Sequence, residues 1–422
     1  MMFFRLKLFL VCGILFFSGP FGASAQKSLR ALFLGNSYTA SNNLPQMISS
    51  IAHALGDSLY YTANTPGGYT FSAHVTNATS LSLISAGPWD YVILQEQSQI
   101  PSFSDAEVDS LCLPFARQLD SLITLHDSCT ETMFFMTWGR KNGDASNCAV
   151  WPPVCTFEGM QERLRKSYLQ MGNDNYGSVA PVGMAWAAVR QMAPAFDLWS
   201  PDESHPSLYG SYLTACVFYT MLFHKSTEGC IYTAGLAAAD ALLLQQVAAE
   251  TVYDSLQQWA GSGDPVWSGF LAQVSGADVS FLNLSLNANS YEWDFGDGQG
   301  SSLAQPLHTY AGTGDYLVTL VSSNACFTDT LRDSVHVLYV GKTFPEAGNQ
   351  LRFSPNPSDG FFYAETGGRK GYAEVYNADG NLIIRRDLRE ISLNGVDLRS
   401  FPAGVYLLRI NDGEEVIRLL KR

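Results

Sequence analysis

The stretch Leu29-Arg30-Ala31-Leu32-Phe33-Leu34-Gly35-Asn36-Ser37-Tyr38-Thr39 decides how the first part of the chain reads. A short apolar run that stops abruptly at glycine and small polar residues predicts a buried strand, Leu29–Leu34, followed by a tight turn. Further runs of this kind follow at Leu59–Ala63, Asp90–Leu94, Thr132–Thr137 and Val179–Met184. Amphipathic stretches separate them, such as Ser104–His126, which opens with a capping box of Ser104 and Glu107. Strands alternating with helices predict an α/β fold with a parallel sheet covered on both faces. In such sheets ligands bind at the carboxyl ends of the strands, which is where Ser37 falls.

Upstream of that strand, Met1 to Ala25 reads as a signal peptide for export. Arg5 and Lys7 are its basic region, Leu8–Phe17 its apolar core, and Ala23-Ser24-Ala25 a cleavage site. Ten residues of apolar core fall short of the roughly 18 that a membrane span requires, and no later stretch reaches that length. Signal removal therefore leaves no transmembrane segment, and Cys12 has no lipoprotein context.

The 422 residues carry 25 Lys+Arg and 39 Asp+Glu, a net charge of -14. From Gly341 onward there are 12 basic and 11 acidic residues, so the first 340 hold 25 − 12 = 13 against 39 − 11 = 28. That acidic balance argues against binding nucleic acid or anionic lipid. Removal of Cys12 leaves seven cysteines. Export permits disulfides. The short proline-containing loop between Cys148 and Cys155 makes them the best pair, and Cys326, alone in the later part of the chain, is expected to be a buried thiol. Neither a second cysteine pair nor a nearby histidine offers zinc spacing, and no metal is expected.

Downstream, Ala260-Gly261-Ser262-Gly263-Asp264-Pro265 has linker composition, and the hydrophobic period then changes to two. Val279, Phe281 and Leu284 lie in one strand-like run, Tyr291, Trp293 and Phe295 in a second, and Tyr316, Val318 and Leu320 in a third. This pattern predicts a small β-sandwich. The words YEWDFGDG at Tyr291–Gly298 and GDYLVTL at Gly314–Leu320 resemble the PKD family of immunoglobulin-like modules. Asp294 and Asp297 fit turn capping better than calcium binding. FSPNPSDG at Phe353–Gly360, AEVYNADG at Ala373–Gly380 and VDLRSFPAGVYLLRI at Val396–Ile410 resemble the carboxy-terminal sorting domain of type IX secretion cargo in Bacteroidota. The expected boundaries are a signal peptide at 1–25, an α/β domain at 26–259, a linker at 260–266, a PKD-like sandwich at 267–340, a linker at 341–350 and a sorting domain at 351–422.

Two separated words carry the chemistry. Ser37 lies in a strand-to-helix loop, and Asp202-Glu203-Ser204-His205 lies in a proline-bounded loop near the end of the α/β region. An aspartate three residues before a histidine can hold the imidazole Nδ1–H and leave Nε2 free to accept a proton. Together, GNSYT and Asp-x-x-His resemble the opening and closing motifs of the SGNH (GDSL-like) hydrolases, with Asn36 where Asp is more usual. The resemblance implies a flavodoxin-like three-layer sandwich with Ser37 as nucleophile, His205 as general base and Asp202 as its orienting carboxylate. The Ser37 N–H would contribute to the oxyanion hole, and so would a glycine of Thr65-Pro66-Gly67-Gly68, either Gly68 or Gly67. The family's G-x-N-D block is replaced here by Gln95-Glu96-Gln97-Ser98-Gln99. A glutamine amide can donate as asparagine does, and Gln97 is preferred, with Gln95 and Gln99 left open. Glu96 is expected to be a structural acceptor. Trp138, Trp151, Trp186 and Trp199 are placed in or near loops at the carboxyl edge, and packing is the preferred role for them.

The resemblance implies a secreted serine esterase acting on acylated carbohydrate, most simply an acetylesterase, that needs no cofactor. The type IX secretion machinery would be its partner through the tail, delivering it through the periplasm to the cell surface or medium. The alternative is a non-catalytic surface protein that binds glycans or mediates adhesion.

Overall fold

The computed structural model describes residues 26–260, 263, 265–338, 351–365, 370–377, 380–411 and 415–422. The expected signal peptide and the linker at 341–350 lie outside the described residues, as do residues 261, 262 and 264 of the first linker. The described residues up to 338 form one compact unit, and those from 351 onward a second.

The first unit opens with a five-stranded parallel sheet: β1 (Ser28–Leu34), β2 (Ser58–Asn64), β3 (Tyr91–Leu94), β4 (Glu131–Phe135) and β5 (Ser178–Ala180). Their order is β2-β1-β3-β4-β5, with register Leu34↔Leu94 between β1 and β3. Ala31–Leu34 and all of β3 and β4 are buried, so both faces of the central strands are covered. The chain reverses direction across the sheet between β1 and β3. A crevice is expected at this switch point.

Helices α1 (Ser37–Ala40), α2 (Leu44–Ala54), α3 (Phe71–His74), α4 (Ala78–Ser85), α5 (Asp105–Leu111), α6 (Leu113–His126), α7 (Phe157–Asp174), α8 (Val182–Met192), α9 (Leu208–Phe223), α10 (Ala238–Tyr253) and α11 (Leu256–Ala260) connect and cover these strands. Helix α9 packs against α2, α8 and α10, while α6 packs against α3, α4 and α7. Nearly the whole of α9 is buried, which anchors the loop immediately before it.

Two sequence expectations shift here. The Ser104–His126 stretch has its capping box but is two helices broken at Cys112, ahead of Pro114. The run expected as strand to Met184 stops at Ala180, where Pro181 caps α8. Trp186 therefore lies on a buried helix rather than in a loop.

After α11 the chain forms β6 (Phe270–Ser275), β7 (Asp278–Asn283), β8 (Ser290–Asp294), β9 (Gly300–Ser301), β10 (Leu307–Thr309), β11 (Gly314–Ser323) and β12 (Thr328–Val337). They make two sheets, β10-β7-β6 and β12-β11-β8-β9, closed over Val279, Phe281, Trp293, Phe295, Val318 and Leu320. Leu284, expected in the core run, lies beyond β7 and is exposed. Asp294 accepts the Gly296 N–H and Asp297 the Gln299 N–H, as turn caps do.

This sandwich docks on the amino-terminal edge of the parallel sheet. Cys326, expected as a lone buried thiol, is instead bonded to Cys129, just before β4. The sequence separation of 197 residues hid this pairing. Lys27, just before β1, bonds Asp329 at 2.6 Å, and Asp329 also accepts the Ser268 N–H. His224, at the far end of α9, stacks on Trp267 at 3.7 Å. Against the cost of burial, His224 and Lys27 hold the Asp329 carboxyl well below the usual carboxylate range. Cys148 and Cys155 are bonded as expected.

The second unit contains β13 (Arg352–Ser354), β14 (Phe361–Glu365), β15 (Tyr372–Tyr376), β16 (Leu382–Asp387), α12 (Leu388–Asn394), β17 (Val396–Asp397), β18 (Gly404–Ile410) and β19 (Glu415–Lys421). Its sheets are β13-β14-β17 and β16-β15-β18-β19, over a core that includes Phe362, Val375, Leu398 and Leu408. No helix among the described residues is long and apolar enough to cross a membrane.

Candidate active site

Ser37 is the first residue of α1, directly after the turn that ends β1. Gly35 is required in that turn, because a Cβ there would lie 2.6 Å from Thr39 Oγ1 and 2.8 Å from Gln95 Oε1. The turn is fixed from three sides. The Asn36 side chain accepts the Tyr38 N–H and donates to the Tyr69 carbonyl. Gln95 Oε1 accepts the Asn36 N–H at 2.9 Å. His74, buried and thereby held below the ordinary histidine value, bridges the Gly35 carbonyl and Ser80 Oγ.

The loop from Ser200 to Pro206 brings His205 to this turn. It is closed by the Ser200 N–H donating to the His205 carbonyl at 2.8 Å, with Glu203 in the left-handed region at φ 60°. Asp202 Oδ1 accepts the N–H groups of Ser204 and His205, and Oδ2 lies 2.5 Å from His205 Nδ1. His205 Nε2 lies 2.8 Å from Ser37 Oγ. Burial opposes ionisation of Asp202, but the His205 side chain and the two N–H groups outweigh it and lower its pKa. The carboxylate therefore fixes the imidazole with Nδ1 protonated and Nε2 turned to the serine hydroxyl.

An aromatic stack supports the histidine loop from below. Tyr38 stacks on Trp138 at 4.7 Å and Trp138 on Trp186 at 3.9 Å, with Trp199 edge-on to Trp186. Trp138 Nε1 donates to the Ser204 carbonyl, and the Tyr38 hydroxyl shares a 2.6 Å hydrogen bond with Ser204 Oγ. These three tryptophans are buried, which is the packing role expected of them, and Trp151 donates to the Ser102 carbonyl.

Around the Ser37–His205 pair lies a cleft of about 260 Å³ lined by Asn36, Ser37, Tyr38, Gly68, Gln97, Ser98, Arg140, Ser204 and His205. The three glutamines have different surroundings. Gln95 is buried under the turn, accepting from Asn36 and Thr39 and donating to the Glu96 carbonyl. Gln99 donates to Asp144. Gln97 alone of the three lines the cleft; one amide N–H goes to Gln99 Oε1, so its second N–H has no partner among the described residues. Gly68, not Gly67, lines the cleft, and its φ of +72° favours glycine.

Glu96 behaves as the structural acceptor expected of it. Its buried carboxyl accepts the Phe71 N–H and the Gln97 N–H, tying the Gly68 loop to the Gln97 segment. Burial pushes it up to about 8, against the pull of those N–H groups. Sequence reasoning did not single out Tyr38, Ser98 or Ser204, although Tyr38 and Ser204 adjoin residues it did name. Arg140 lies two residues beyond Trp138, which the sequence reading named, and was given no role there. Among the described residues no group of three or more His, Cys, Asp or Glu is placed to hold a metal.

Comparison with known proteins adds to this picture. Residues 273–338 match the family model of the PKD domain, and residues 353–420 that of the secretion system C-terminal sorting domain. No curated protein sequence matches the chain significantly. Among solved structures, a candidate SGNH hydrolase from Slackia heliotrinireducens is 22% identical, with 46% of this chain and 97% of that one covered and a TM-score of 0.38. A DUF4886 family protein from Bacteroides uniformis is 17% identical, with 54% and 95% covered and a TM-score of 0.46. A psychrotrophic esterase from Pseudoalteromonas sp. is 13% identical, with 45% and 94% covered and a TM-score of 0.30. The chain thus matches a PKD domain and a secretion-system sorting domain behind a parallel α/β region whose structural neighbours are SGNH- and GDSL-type hydrolases.

Proposed function

We propose that the protein is an exported serine ester hydrolase of the SGNH type that removes acetyl or other short acyl groups from carbohydrate. The observation that carries the reading is the continuous relay from Ser37 Oγ to His205 Nε2 at 2.8 Å and from His205 Nδ1 to Asp202 at 2.5 Å. In the proposed mechanism Ser37 Oγ attacks the ester carbonyl while His205 Nε2 takes its proton. His205 then returns that proton to the departing sugar oxygen, leaving an acyl-serine. A water activated by the same nitrogen hydrolyses the acyl-serine, and carboxylic acid and enzyme are released.

The tetrahedral oxyanion would be met by the Ser37 N–H, the Gly68 N–H and the Gln97 amide. Ser37 is the first helical residue, a position whose N–H has no acceptor within the helix. The small volume of the cleft and the hydrogen-bonding side chains among its lining residues favour a short acyl group on a hydrophilic alcohol over a long acyl chain. The sorting domain at 353–420 indicates secretion or cell-surface display, and we read the route as export by the signal peptide followed by type IX secretion. Release of p-nitrophenol from p-nitrophenyl acetate by the wild type, abolished in Ser37→Ala, tests the reading. Equal turnover by both proteins overturns it.

A further inference from the structure

We propose that Arg140 binds an anionic oxygen group, carboxylate or sulfate, carried by the same sugar as the scissile ester, so that acylated acidic saccharides are the preferred substrates. The inference rests on the ester-hydrolase reading and narrows its substrate class. Arg140 follows β4 and reaches the cleft that contains Ser37 and His205, with 26% of its side chain exposed. It is the one Lys or Arg side chain among the residues lining that cleft.

Its orientation is set from behind. Nη1 bonds Asp144 Oδ1 at 3.2 Å, and Asp144 is itself held by Gln99, Asn147 and the Ser146 N–H. Burial raises the Asp144 pKa, but these donors and the Arg140 charge outweigh it and keep the carboxyl ionised. The opposite edge of the guanidinium is unclaimed: Nε is buried and has no hydrogen-bond partner, and no bond from Nη2 is found among the described residues. The Nε/Nη2 edge is the planar fork that pairs with carboxylate or sulfate oxygens. A buried donor without an acceptor is costly, and an anionic ligand that settled on this edge would satisfy it.

The negative balance of the protein repels an anionic polymer at long range. At physiological ionic strength that repulsion is screened beyond about 8 Å, whereas a contact at the guanidinium persists. A hydrogen-bonded charge of this kind corresponds to about a tenfold to hundredfold preference for the anionic substrate.

Acetate release is to be measured on three O-acetylated methyl glycosides: a galacturonate, its neutral carboxamide, and a galactoside 6-sulfate. The wild type should favour the galacturonate or the sulfate over the carboxamide by at least about tenfold in kcat/KM, mainly through KM. The two anionic probes separate the carboxylate source from the sulfate. Arg140→Gln should bring the ratio to about one, and Arg140→Lys should keep part of it because it retains charge but not the fork. Equal rates on all three, or a ratio unchanged in Arg140→Gln, overturn the proposal. If the wild type hydrolyses none of them, binding to the full chain is read by tryptophan fluorescence. Tighter binding of an anionic glycoside than of the carboxamide, lost in Arg140→Gln, upholds Arg140 while the hydrolase reading fails. Equal binding overturns both.

Discussion

Ser37 and the Asp202–His205 pair come from segments 168 residues apart at Ser37 and His205, and replacing the three residues should cost activity to different degrees. His205→Ala should be about as severe as Ser37→Ala, because residues that act as a unit fail together. Asp202→Asn should retain more activity than either, since it removes control of the imidazole tautomer but leaves the nucleophile. In the oxyanion hole, Gln97→Ala should lower kcat by about 10²–10³-fold with little change in KM. Gln95→Ala is a different lesion: it removes the acceptor for the Asn36 and Thr39 donors under the turn, so it should lower the thermal midpoint as well as activity. Glu96 gives a pH signature. Its pKa is raised from 4.5 to about 8 in the folded chain, so the protein holds that proton more tightly folded than unfolded. The resulting stability is present below about pH 4.5 and is lost as pH rises towards 8. Glu96→Gln cannot ionise and should flatten that part of the fall, as measured by urea denaturation at pH 5, 6.5 and 8.

At the scale of elements, the central strands were legible because β1 and β3 are short apolar runs cut off by polar turn residues, and that punctuation survives burial on both faces. The end of β5 was not, because Val179–Met184 is apolar throughout and one apolar run serves a strand or a buried helix equally well. The Ser37 and His205 words could be read because each keeps its residues within one turn. The division of labour among Gln95, Gln97 and Gln99 could not, since it depends on what packs behind each amide. Alternation along an extended chain puts Gln95 and Gln97 on one side, yet Gln95 lies under the turn while Gln97 lines the cleft. Cys129–Cys326 was equally hidden, as no local pattern links residues 197 positions apart. Replacing both cysteines by alanine should lower stability by about 2–4 kcal/mol in urea denaturation. Ester hydrolysis should persist, because Cys129 precedes β4 at the sheet edge opposite the cleft.

At the scale of the whole molecule, the Ser37 cleft and the PKD-matching sandwich occupy opposite edges of the parallel sheet, so docking of the sandwich leaves the cleft open. The sorting domain is a separate unit that supplies none of the proposed catalytic groups. Deleting residues 351–422 should therefore leave esterase activity in the purified protein intact while trapping it in the periplasm of its native host, as cell fractionation would show. The central claim, that Ser37 is an activated nucleophile, is tested most directly by treating the full-length protein with a fluorophosphonate and mapping the adduct by mass spectrometry. The account predicts one stoichiometric phosphonyl group on the peptide containing Ser37, absent in Ser37→Ala and strongly slowed in His205→Ala. An unmodified wild-type protein, or an adduct on another residue that persists in Ser37→Ala, would contradict it.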